Sequence, residues 1–482
     1  MTRRLLIVWM TCVLGLASGM TWAQERTISR VLAELAIQTE SKAIPDVAYA
    51  AAREALVDVF GVTLAGHDSP GVEAIVAQML DWGGKPEASV WVYGGKLPAP
   101  VATFVNSTMV HALDLDDVHI PSSTHITSVI VPAALAVGEM TQASGTETLA
   151  AVILGIEVAE RIGVEYKSRR EHGGFLPTSL VGGFGAAAAA CRLLGLSVDQ
   201  TINAYGIFYA HTSGNRQALH DRTLTKRIQP AIAARAGVLA AFLAKRGITG
   251  PVHIFLSPAG FFRIYGGANR PPPTVEDIAR KRDFYEVQRV SYKKYTSCGA
   301  GHPLLEATIA LVTEYDLKID DVATVEIFVN SGMVGVPWKW TENPHVMAQF
   351  CAPYEVATAI KNRRMGPAEI TNERIREDRA VADLASRVRL QARKNFGGKY
   401  PGGQTIRIKT KDGRTLVASR DTEDVFDPDV LSYEDIVAKF KYNVRFSGLC
   451  STEEAQALLS ATENLKRCED VGDFVENHLV CK

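Results

Sequence analysis

The sequence predicts a mainly α protein: a large all-helical domain, a smaller α+β domain, and a C-terminal segment that completes the helical domain. Three observations carry this. Apolar residues recur at helical spacing through the first half, strand-like alternation begins beyond a proline cluster at Asn269–Pro273, and helical spacing returns from Ser432. The resulting division is a leader over residues 1–23, a helical domain over 24–272, an α+β domain over 273–428, and returning helices over 429–482.

The elements follow in order. Arg3 and Arg4 form a basic head, Leu5 to Leu16 is almost wholly apolar, and Thr21-Trp22-Ala23 places small residues where a signal peptidase reads. An apolar run of about twelve residues falls short of the ~20 that a spanning helix needs, so this is a cleaved secretory signal and the protein is expected to be periplasmic or secreted, with no stable membrane span after cleavage. Val47–Ala65 reads as a helix ended by Gly66, and Ser128–Gln142 and Thr146–Ile162 continue the pattern. Leu180–Leu196 is dominated by glycine and alanine. Glycines lower helix propensity, so Gly182, Gly183 and Gly185 predict close approach by a neighbouring helix. Pro230–Arg246 is a further amphipathic helix, stopped by Gly247. Ala323–Asn330 and Thr405–Lys411 alternate as strands, and Asp412-Gly413 turns the latter into Thr415–Ser419. Ser432 is the expected N-cap of the returning helices.

The chain's 482 residues, 22% charged with a net charge of -1, give no basic stripe for nucleic acid. The densest basic runs, Lys167–Arg170 and Arg280–Arg282, read as solvated faces. In an oxidising compartment the clustered Cys450, Cys468 and Cys481 predict a staple of the tail, whereas Cys191, in an apolar helix, reads as an inert thiol.

Three segments concentrate chemistry. The first runs from His111 through Asp114, Asp116, Asp117 and His119 to His125. Three carboxylates and three imidazoles among apolar helices are expensive to bury without partners. The residues alone leave three readings open: an acid/base site, a metal site, or a capped helix end with solvated aspartates. The second is Thr225-Lys226-Arg227-Ile228-Gln229-Pro230, where two cations at a helix entrance would be relieved by a bound anion, or simply lie exposed in a loop. The third is Tyr292-Lys293-Lys294-Tyr295-Thr296-Ser297-Cys298-Gly299-Ala300-Gly301-His302, just past the domain boundary, where ligand sites are favoured.

These segments, together with A-L-V-D-V-F-G-V-T-L-A-G at Ala55–Gly66, P-T-S-L-V-G-G-F-G at Pro177–Gly185 and A-Q-F-C-A-P-Y-E-V-A at Ala348–Ala357, resemble the MmgE/PrpD family in order and surroundings. The resemblance implies a helical domain with a smaller α+β lid, an active site between them, homodimers, and chemistry without metal or organic cofactor. Known members dehydrate 2-methylcitrate, decarboxylate cis-aconitate or epimerise related diacids. It also implies the site residues: His125 for proton transfer, Asp114 to orient and tune its neighbours, Tyr354 to donate a hydrogen bond to developing charge, and Lys226 and Lys293 to bind carboxylates. Arg227, Cys298 and His302 complete the candidate substrate-binding set.

The chain departs from the family pattern at Leu176 and Gln229, where many members carry histidine, and at Gly299, where they carry arginine. His172 is a candidate replacement for the missing imidazole. The expected activity is an exported lyase, a dehydratase or decarboxylase of a small polycarboxylate. The alternatives are an epimerase on the same fold, a non-catalytic polycarboxylate binder, and a metal hydrolase built on His111, Asp114, Asp116 and His119.

Overall fold

The computed structural model describes residues 26–171, 173–267, 269–329, 334–341, 344–392, 403–427 and 430–480. The segment read as a secretory leader, His172 and Cys481 lie outside the described residues.

The first part of the chain is helical. In order it carries α1 (Ile28–Gln38), α2 (Asp46–Gly66), α3 (Val72–Trp82), α4 (Ala99–His111), α5 (Thr127–Thr141), α6 (Gly145–Arg169), α7 (Pro177–Leu193), α8 (Val198–Tyr209), α9 (Gln217–His220), α10 (Thr225–Lys245) and α11 (Val275–Ala279). A two-residue hairpin, β1 (Ala88–Ser89) with β2 (Lys96–Leu97), sits between α3 and α4. The glycine-alanine helix α7 is central, packed by α5, α6, α8 and α10. Its glycines are there for contact. A Cβ on Gly185 would come within 2.3 Å of the Gly155 carbonyl of α6, and one on Gly237 of α10 within 2.4 Å of the Gly183 carbonyl. The three helices therefore cross backbone to backbone, which only residues without a side chain permit.

The second part contains α12 (His302–Glu314), β3 (Val322–Val329), α13 (Pro344–Gln349), α14 (Ala352–Asn362), α15 (Asn372–Glu377), α16 (Arg379–Arg387), β4 (Arg389–Ala392), β5 (Gln404–Thr410), β6 (Thr415–Arg420) and α17 (Glu423–Phe426). The sheet order is β4-β3-β5-β6, with β3 and β4 parallel and the other pairs antiparallel. Ile327 pairs with Ile406, both fully buried, and α12 packs on β5 and β6. Gly413, at φ +94°, supplies the left-handed turn between β5 and β6.

The chain then closes with α18 (Tyr433–Ser447), α19 (Thr452–Glu463) and α20 (Val471–His478). Ser432 caps α18 in a reciprocal box with Asp435. These helices return to the first part: α18 and α19 pack on α2, and α20 packs on α5. Helix α10 begins a turn before Pro230, so Lys226 and Arg227 lie inside its first turn rather than in a preceding loop.

Candidate active site

The loop between α4 and α5 is buried almost throughout, and this overturns the reading of solvated aspartates. Asp114, Asp116, Asp117 and His119 are each at most 3% exposed. Two of them serve as scaffold. Asp117 accepts hydrogen bonds from the backbone N–H groups of Ile126 and Thr127, both 3.1 Å, and so caps α5. Burial, with Asp116 nearby, pushes its pKa up to about 8. His119 lies between Glu160 (3.0 Å) and Glu286 (2.9 Å). Burial opposes its charging, but the two glutamates outweigh burial and hold its pKa at about 9.

Asp114 is the hub. Its backbone adopts a left-handed conformation, φ +52°, which aspartate tolerates better than most residues and which turns the chain sharply after α4. Its carboxylate pairs with Lys226 Nζ on one oxygen and with Lys293 Nζ (3.1 Å) on the other, and Lys293 also donates to the Asp114 carbonyl at 2.7 Å. Burial would raise the Asp114 pKa, but Lys226 and then Lys293 hold it well below the usual carboxylate range. Lys226 also donates to His111 Nε2 at 2.6 Å, which fixes the proton of that imidazole on Nδ1, where it meets Asp116 at 2.6 Å.

The His111, Asp114 and Asp116 ligand atoms lie within 4.8 Å of one another, the spacing of a metal site. The Lys226 ammonium, however, already contacts both His111 Nε2 and Asp114, and His119 is turned away to its glutamates. The donor set is thus organised around a lysine cation, and it does not fit a metal.

Above this cluster is a cavity of about 370 Å³, lined on its polar side by Asp114, Lys226 and His125. His125 donates from Nδ1 to the Asp117 carbonyl (2.6 Å), which leaves Nε2 as a lone-pair acceptor. Burial and then Lys293 push its pKa down to about 3, so the ring is neutral. Three further cations line the same cavity: Lys167, Arg170 and Arg216. The basic run at Lys167–Arg170 is therefore not a solvated face as a whole. Only Ser168 is exposed, Arg169 pairs with Glu165, and Lys167 and Arg170 are half-buried at the cavity. Much of the remaining lining is apolar, with Leu176, Ala300, Phe350 and Phe426.

Of the remaining candidates, Cys298 lines the cavity, but burial and then Asp114 push its thiol up to about 11, which makes it a poor nucleophile. Lys293 lies beneath the wall, its Cε 3.9 Å from where a Cβ on Gly299 would be. Three candidates lie apart from the cavity. Tyr354 stacks on Trp338 (4.6 Å) and donates to the Glu369 carbonyl (3.0 Å). Arg227 donates to the Pro70 carbonyl at 2.7 Å. His302 is fully buried between Tyr295 and Phe426, its pKa pushed down to about 3 by burial and then Lys293.

The departures divide in the same way. Leu176 and Gly299 face the cavity, and a Cβ at Gly299 would lie 3.3 Å from the Phe426 ring. Gln229 instead clamps Asn215, accepting from its N–H (2.8 Å) and donating to its carbonyl (3.1 Å). Beside Tyr354, Glu355 is fully buried, with no hydrogen-bond partner for either oxygen among the described residues, and burial and then Asp114 raise its pKa far above the usual range.

Comparison with known proteins gives two family matches, the MmgE/PrpD N-terminal domain over residues 30–274 and the MmgE/PrpD C-terminal domain over residues 295–467. Human cis-aconitate decarboxylase is 28% identical over 397 residues, covering 78% of each chain. A cis-aconitate decarboxylase-like protein of Aspergillus oryzae is 28% identical over 456 residues, covering 88% of this chain and 91% of its own. Cis-aconitate decarboxylase of Aspergillus terreus is 26% identical over 397 residues, covering 78% and 81%.

Proposed function

The chain belongs to the MmgE/PrpD family, and from that premise we propose that it is an exported, cofactor-free lyase that dehydrates or decarboxylates a small polycarboxylate such as cis-aconitate. The observation that carries this reading is the buried Asp114–Lys226–Lys293 cluster opening beside a neutral His125 into a cavity that holds four cations against one carboxylate. An anion entering there replaces lost hydration with lysine and arginine contacts. The leader with Arg3, Arg4 and its short apolar run supports export, and the family resemblance supports a homodimer.

The chemistry follows from the charges. In a decarboxylation the bond to one carboxylate breaks, CO2 leaves, and the electron pair left on carbon takes up a proton. In a dehydration a carbon next to a carboxylate gives its proton to a base, and the hydroxyl departs as water after gaining a proton. Both routes build negative charge beside a retained carboxylate, where the Lys226 ammonium stabilises it. His125 Nε2 is the group that accepts or returns the proton. Bound carboxylates reverse the field of Lys293 on His125, so substrate itself raises the basicity of that imidazole.

The test is proton NMR of the purified protein in D2O with a panel of di- and tricarboxylates, with Lys226→Ala as control. New product signals that vanish in the control are expected, and dialysis against a chelator should leave them unchanged. Deuterium entering a substrate without elimination would instead favour an epimerase, a reading that the apolar Leu176 and Gly299 positions make reasonable. Binding without any chemistry would overturn the lyase.

A further inference from the structure

Arg170 and Arg216 are the two guanidinium groups of the cavity, and among the described residues neither has a counter-charge. They arise on different segments that the backbone zips together: Arg216 N–H donates to the Gly174 carbonyl at 2.9 Å, and Leu176 N–H to the Gly214 carbonyl at 3.3 Å. The pairing brings both arginines, with Lys167, into the lining of the cavity. Among the described residues no carboxylate pairs with any of the three, although paired arginines are frequent elsewhere in the fold. Arg170 Nη1 is a buried donor with no hydrogen-bond partner among the described residues. Lys167 donates to the Ile120 carbonyl, a neutral group. Three like charges held together in partial burial destabilise the free protein, and buried donors left unmade are costly. An anion relieves both.

We propose that Arg170 and Arg216 form a second anion subsite, which receives a terminal carboxylate while another carboxylate of the same molecule lies at Lys226, so that the chain selects tricarboxylates over dicarboxylates. This rests on the polycarboxylate reading of the same cavity. The fork geometry of guanidinium suits a bidentate carboxylate, whereas Lys226 acts as a point charge. The apolar lining of Leu176, Phe350 and Phe426 then faces the carbon skeleton.

The experiment is calorimetric titration of the purified protein with tricarballylate and with methylsuccinate, which lacks one terminal carboxylate. Arg170→Gln and Arg216→Gln should each weaken tricarballylate binding roughly 10- to 100-fold, the usual loss for a charge-assisted hydrogen-bonded pair, and leave methylsuccinate unchanged. Arg170→Lys and Arg216→Lys should fall between, because charge remains but the fork is lost. Lys226→Ala should weaken both acids. Both glutamine variants should unfold, without ligand, at or above the wild-type temperature, since a repulsion has been removed. Equal losses for the two acids, or none, would overturn the subsite while leaving the polycarboxylate reading in place. Failure of the wild-type protein to bind either acid would overturn both.

Discussion

Asp114→Asn removes one charge while preserving the shape of the side chain. That carboxylate is the shared counter-ion of Lys226, 6% exposed, and Lys293, fully buried. Breaking a buried ionic cluster by removing one partner costs about 3–5 kcal/mol, because the remaining charges stay desolvated and unpaired. Unfolding entropy of roughly 2 cal/mol/K per residue makes each kcal/mol worth about 1 °C in a chain of this length, so Tm should fall by about 3–5 °C. The pH dependence is the sharper test. In the fold, burial would lower the Lys293 pKa, but Asp114 and then Asp116 outweigh it and raise the value above 10.5. Lys293 therefore contributes stability that is present below its unfolded pKa and is lost as pH rises through the folded one. With asparagine at this position, burial is opposed mainly by Asp116, and the folded pKa drops below the unfolded value. The slope then reverses, and stability rises with pH in the alkaline range by about 1.4 kcal/mol for each unit of displacement. Urea denaturation followed by tryptophan fluorescence at a series of alkaline pH values measures this. Curves for wild type and variant that run parallel would refute the claim that Asp114 keeps Lys293 charged.

Three other outcomes are expected. His119, at about 9, contributes stability that is complete below 6.5 and disappears as pH rises through about 9, so His119→Gln should flatten that part of the stability curve; an unchanged slope in denaturation experiments would contradict it. His125→Gln should lower kcat by roughly 10²–10⁴-fold with ligand binding retained, and in the wild type the acidic limb of kcat should lie at higher pH than that of kcat/KM, because bound carboxylates oppose Lys293; coincident limbs would sink this account. Gly185→Ala forces α6 and α7 apart at the Gly155 carbonyl and should cost about 1–3 kcal/mol or more, read by thermal unfolding, with no loss expected if the crossing were looser than described.

The helices were legible because their periodicity and glycine content speak directly of packing. Gly182, Gly183 and Gly185 predict close approach by a neighbouring helix, and the crossings occur at Gly183 and Gly185. Element ends slipped where proline misled: α7 starts at Pro177, and α10 begins before Pro230. The candidate site divides along physical lines. Asp114, Lys226 and Lys293 declare themselves as ionisable groups amid apolar sequence, so partners must exist for them. Arg170 and Arg216 do not, because a basic run at a helix end, or a lone arginine in a loop, looks the same whether it faces water or a cavity, and which way they face depends on the Gly174–Arg216 pairing. Tyr354 and Glu355 show the opposite limit. Neighbours on a helix point in different directions, and a motif names the helix without naming the face.

The last helices have a role beyond packing. Lys439 of α18 pairs with Asp58 of α2 at 2.6 Å and donates to the Leu115 carbonyl at 2.8 Å, next to Asp114 itself. Leu465 and Cys468 meet the start of α6 at Gly145, where even a methyl group would collide with the Leu465 carbonyl. The grip on the reactive loop therefore comes from residues synthesised more than three hundred positions later. During synthesis the first helices must wait, with α2 and α5 uncovered, until the end of the chain arrives. A nascent chain stalled before α18 would carry every charged group of the cluster and still lack the clasp that holds Leu115, so competence to bind would arrive all at once, with the final segment.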